Sequence, residues 1–233
     1  MLVEQIKYLS RIGVLPVMIG LTSASALMAA PGADRLFEVN LALAPNYRSL
    51  LLSKLGPTPF DCGRFIAEPA FAAEYSVSVY SQPSADGEVK YFITYTASDK
   101  SLWETSNAGK DTKAARNINV HRLDCEIPRA IAQKTKQVWF AMLTDNQRRR
   151  PMHLQDAGRV TDATIGEFSL QLSPAKAIYG EMPVEAPVGV KTKTLVDIAN
   201  ALIEYYKAKP ATRADIATTI DSTTTELLSR LKH

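Results

Sequence analysis

His121-Arg122-Leu123-Asp124 is the grouping with the most chemical potential in this chain. An imidazole held beside a carboxylate can act as a general base, because its pKa lies close to neutral pH. On a strand, His121 and Leu123 share one face and Arg122 takes the other. A structural explanation competes and is favoured: His121 lies on a wet face, and Asp124 caps the helix that follows. Other catalytic patterns are missing from the sequence. There is no Gly-x-Ser-x-Gly elbow for a nucleophilic serine. Glu68, Glu74, Glu126 and Glu167 could form a glycosidase pair only if folding turned two of them inward at a set separation.

Cys62 and Cys125 are the only cysteines, and His121, His153 and His233 the only histidines. Their scatter lacks metal-ligand spacing, so no metal site is expected. In an oxidising compartment two cysteines permit one connectivity, Cys62 to Cys125. That bridge would close a loop of about 64 residues, worth roughly 4 kcal/mol in the chain-entropy account. No βαβ unit with a glycine-rich phosphate loop occurs, so neither a nucleotide nor any other cofactor is implied. The formal charge of +3 demands no polyanionic partner, and nucleic acid is not expected. Arg148-Arg149-Arg150 reads as a solvated turn after a helix, where cations favour the negative end of the dipole.

Tyrosine supplies contact chemistry of another kind. Tyr80 and Phe92 fall on neighbouring strands, and on an open sheet face they would form a binding platform. Ordinary strand and core usage is the favoured explanation for these aromatics.

The compartment follows from the first thirty residues. Lys7 and Arg11 precede the charge-free run Ile12 to Leu21, and Ala24-Ser25-Ala26 offers a small-x-small cleavage pattern. Residues 1–26 are therefore expected to be a secretory signal peptide, and the mature protein periplasmic or secreted, of bacterial type. The alternative is an uncleaved leader that anchors the chain. Ile12 to Ala30 would just cross a hydrocarbon core, though Pro16, Gly13 and Gly20 weaken it as a span. The membrane is otherwise not an expected partner.

The positioning elements follow from periodicity. Tyr47 to Leu55 reads as a helix ended by Gly56, and Pro57, Pro59 and Cys62-Gly63 as a rigid connector. Glu74 to Ser81 and Glu88 to Ala97 alternate as two strands of a hairpin whose Ser/Thr faces predict one wet side. Ser98 to Ala115 is a polar loop with Trp103 as its anchor. Asn117 to Leu123 is a third strand. A helix then runs from Asp124 through Thr144, with Ile131, Val138, Trp139, Met142 and Leu143 in its stripe. Glu167 to Leu172 and Ala177 to Met182 are two further strands across Ser173-Pro174. Thr194 with Asp197, and Thr212 with Asp215, open two last helices.

The expected fold is α+β: an antiparallel sheet of four to five strands with helices packed mainly on one face. Residues 27–210 form one α+β domain, and 211–233 a loosely docked C-terminal helical tail. These features favour an exported, non-enzymatic binding or interaction protein whose partner is another envelope or extracellular protein. The alternatives are an envelope hydrolase using His121 and Asp124, and a membrane-anchored structural protein.

Overall fold

The computed structural model describes residues 34–39, 45–56, 58–107, 118–148, 163–185 and 189–232. The leader, Arg149, Arg150, His153 and His233 lie outside them.

Six strands form one antiparallel sheet: β1 (Gly63–Glu68), β2 (Tyr75–Pro83), β3 (Val89–Ser98), β4 (Val120–Glu126), β5 (Ile165–Ser173) and β6 (Lys176–Pro183). Their spatial order is β4-β3-β2-β1-β5-β6. A four-strand meander thus receives the β5–β6 hairpin on the far side of β1. The sheet has six strands rather than four to five because β1, which begins where the expected connector ends and has no strand signature of its own, pairs with β2 and β5 along its length. Gly63 opens β1 at φ +127°, where its missing Cβ leaves room for the Trp139 indole.

The helices are α1 (Pro45–Leu55), α2 (Leu102–Asn107), α3 (Arg129–Arg148), α4 (Val190–Lys207) and α5 (Arg213–Arg230). Alternation along β1 sorts them. Phe65 and Ala67 join Val77, Val79, Ile93, Phe168 and Leu170 in the main core, closed by apolar residues of α3, α4 and α5. Ile66 points the other way and packs with Tyr47, Leu51 and Leu55 of α1 and Leu102 of α2. Helices therefore cover both faces rather than mainly one. The Ser/Thr face is also not wet: Ser76, Ser78, Thr94 and Thr96 are buried. Ser76 Oγ donates to the Leu55 carbonyl, so the end of α1 supplies a partner that water would otherwise provide.

Two helix starts differ from expectation. Asp124 and Cys125 lie in β4, opposite Thr94 and Ile93, and the helix begins only after Pro128. The start of α4 lies at Val190, ahead of Thr194. Its cap comes from far away in sequence: the Asp34 carboxylate accepts from the Lys191 and Thr192 backbone N–H groups, each at 3.0 Å. The last helix does start beside Thr212, but that hydroxyl makes no cap bond. Ile220, Thr224 and Leu227 of α5 are fully buried, and Lys134 of α3 pairs with Asp221 at 2.6 Å. The C-terminal helix is thus part of the main core.

Candidate functional site

His121 and Asp124 do not meet. Three residues along one strand separate them by about 10 Å and turn their side chains to opposite faces. His121 lies opposite Ala97 and is exposed. Asp124 lies on the other face, where its carboxylate accepts a hydrogen bond from Thr94 Oγ1. It anchors two strands and caps no helix.

The two cysteines are free thiols. Their separation follows from register: Gly63 pairs with Val79, Val79 with Ile93, and Ile93 with Cys125. Cys62, next to Gly63, is therefore about three strand spacings from Cys125, on the order of 14 Å. A disulfide needs Cα atoms within about 7 Å. The expected bridge is incompatible with this sheet. Burial, reinforced by Asp61, pushes the Cys62 thiol up to about 12, so it stays protonated. Burial also raises Cys125.

Tyr80 and Phe92 do come together, on paired positions of β2 and β3, with ring centroids 5.7 Å apart. Tyr80 is buried, however, so the pair is an internal stack and not an open platform.

The most concentrated polar chemistry lies under α1, at residues with no recognisable motif. Glu167 is 1% exposed, and its Oε2 receives Arg48 Nη1 at 2.6 Å. Tyr47 donates to Glu74 Oε1 at 3.2 Å and shares a hydrogen bond with Glu68. Glu74 also accepts from the Leu102 and Trp103 N–H groups, at 2.7 and 2.9 Å, and so holds the start of α2. Burial, with Glu167 next in weight, raises the Glu68 carboxyl to about 8, against the opposing pull of Tyr47 and Arg48. Beside this group, Arg64 donates through Nε to Ser78 Oγ at 3.1 Å, and through Nη2 to the carbonyls of Gly56 and Thr58. Its guanidinium also stacks on Phe60. This is a buried network tying α1, α2 and the carbonyls of Gly56 and Thr58 to the sheet. Glu68, Glu74 and Glu167, candidates from sequence only as isolated acids, are all within it. Arg48, Arg64 and Tyr47 were not foreseen. The one available signal is a charged residue at alternate positions of otherwise apolar strands. Among the described residues, no three His, Cys, Asp or Glu side chains cluster so as to hold a metal.

The outer surface offers a different kind of site. Between α3 and β5 lies a shallow groove of about 310 Å³, lined by Lys136, Gln137, Phe140, Leu170, Gln171 and Leu172. Phe140 is 49% and Leu172 41% exposed. The stripe of α3 explains this: Val138, Trp139 and Met142 face inward, and Phe140 falls outside their arc.

Comparison with family models, with curated proteins and with solved structures finds no match.

Proposed function

We propose that this chain is an exported, non-enzymatic interaction protein. Its binding face is the α3–β5 groove, and its partner is an apolar, acidic segment of another envelope or extracellular protein. The observation that carries this reading is the pairing of Phe140 with Leu172, two large apolar side chains left half-exposed across one groove. Lys136 and two glutamines form the polar lining. That pattern suits apolar anchors flanked by carboxylates. Export rests on the leader pattern of residues 1–26 alone, since the thiols do not pair. The hydrolase alternative loses its one nameable pair with the separation of His121 from Asp124.

A photo-crosslinking amino acid at position 140 or 172, introduced into the protein in its native cells, tests the groove. Adducts of one partner are expected from both positions, those from position 172 abolished by Phe140→Asp, and none with the probe at exposed Val89. Equal labelling from position 89, or adducts indifferent to Phe140→Asp, would remove the reading.

A further inference from the structure

The two terminal strands of the sheet are treated differently. The outer edge of β6 is covered by the 36–39 segment, where Phe37 and Glu181 exchange both backbone hydrogen bonds, at 2.8 and 2.9 Å. No described segment pairs with the outer edge of β4. The direction of its free groups can be read from neighbouring bonds in the same register. Ile127 N–H donates to the Tyr91 carbonyl, and Asp99 N–H to the Asn119 carbonyl. Odd-numbered positions of this stretch therefore bond to β3. Even-numbered positions, Val120, Arg122, Asp124 and Glu126, turn N–H and C=O outward.

We infer that β4 pairs antiparallel with β4 of a second copy of this chain, about a two-fold axis at Leu123, giving a twelve-strand sheet across the dimer. Self-complementarity selects the occupant and the register. With the axis at Leu123, Arg122 of each copy lies directly opposite Asp124 of the other, on one face and in hydrogen-bonded pairs. Leu123, 66% exposed, meets its own counterpart on the opposite face, in the closer non-hydrogen-bonded pair. Moving the axis to Arg122 would set Arg against Arg. Moving it to Asp124 would set Asp124 against itself and leave Arg122 facing Glu126, whose outward carbonyl is already taken by Tyr205. Exposed edges are usually blunted by charge. Here the two signs flank Leu123 symmetrically, so they attract in self-pairing. Glu126 lies opposite Val120 at the rim, and its carbonyl already accepts from Tyr205 Oη at 3.4 Å. The central pairs therefore carry the association. An isologous contact of this kind closes at two copies.

The test is sedimentation of the full chain with three variants. Wild type should be a dimer. Arg122→Asp, which sets Asp against Asp twice, should raise the dissociation constant about tenfold or more. Asp124→Arg should do the same by setting Arg against Arg. An equimolar mixture of these two variants should restore dimers, because each then faces its opposite charge. Crosslinking checks the register without altering charge. Leu123→Cys should form an intermolecular disulfide under mild oxidation, since its Cα lies about 4.5 Å from its counterpart. Both probes are placed in a Cys125→Ser background, because this register sets the free thiol of Cys125 directly opposite position 121 of the other copy. There His121→Cys should not crosslink, since its own counterpart lies about 13 Å along the partner strand. A wild type that stays monomeric, a dimer indifferent to Arg122→Asp, or crosslinking at 121 in preference to 123 would overturn the inference. Pairing of the edge with a different protein's strand would appear as the first of these.

Discussion

Glu68 shows how a residue with no motif can acquire unusual behaviour from its surroundings. It sits at the end of β1, with Tyr47 of α1 as hydrogen-bond partner and Glu167 and Glu181 adding like charge. Its carboxyl is raised to about 8, so the folded state keeps a proton that the unfolded chain releases near the ordinary carboxylate value. Between those two pH values the folded state binds more protons, and stability must fall as pH rises. The contribution is fully present below about pH 4.5 and lost once pH passes about 8. Glu68→Gln keeps the hydrogen-bonding shape without the charge. It is expected to flatten the urea-midpoint profile between pH 5 and 8, and to raise stability at pH 9 by about 2–4 kcal/mol. An unchanged slope in that window would show that Glu68 titrates elsewhere. Arg48 is the counterweight. Glu167 is almost wholly buried against it, so Arg48→Ala leaves a buried carboxylate without its cation.

At the scale of elements, the long-range cap on α4 is the clearest case of structure that local sequence could not reveal. Thr194 and Asp197 have the spacing of a capping box, yet the helix starts four residues earlier on a carboxylate 157 positions away. The close approach of Asp34 leaves no room for a Cβ at Gly189, which explains the glycine there. Asp34→Ala is expected to cost about 1–2 kcal/mol in chemical denaturation and to speed amide exchange in the first turn of α4. Exchange unchanged at residues 191 and 192 would argue against the cap. The strands of the β2–β3 and β5–β6 hairpins were legible because alternation and turn residues agree. β1 was not, since Pro57 and Pro59 precede it and Ile66 breaks the alternation by filling the second, smaller core. Asp124-Cys125-Glu126 before Pro128 reads as a cap and first turn, but pairing with Phe92, Ile93 and Thr94 holds all three residues in β4. None of the polar network beneath α1 was legible as a unit. Its members are distant in sequence, and only the register of β1 with β2 and β5 brings them together.

Across the whole molecule, the Ser/Thr rows and the C-terminal helix make the same point about burial. Polar rows on alternating strands suggest water on one side, but here α1 brings the Leu55 carbonyl and the Tyr47 hydroxyl, and α2 its first backbone N–H groups, to that face. A threonine-rich final helix suggests loose attachment. Yet its hydroxyls largely bond back to carbonyls three or four residues earlier, as Thr223, Thr224 and Thr225 do. That leaves Ile220 and Leu227 free to enter the main core with Leu195, Ile198 and Leu202 of α4. Helix α5 should therefore unfold with the sheet and not before it. Leu227→Ala removes a fully buried side chain and is expected to destabilise the whole chain by about 2–5 kcal/mol. The loss should appear as a lower urea midpoint at an unchanged slope, in one transition common to helical circular dichroism and to the fluorescence of buried Trp139. An early helical loss that leaves the Trp139 transition in place would instead mark residues 213–230 as a separate unit. The contacts of Ile220, Thr224 and Leu227 argue against that outcome, because each fills space enclosed by helices that also cover the sheet.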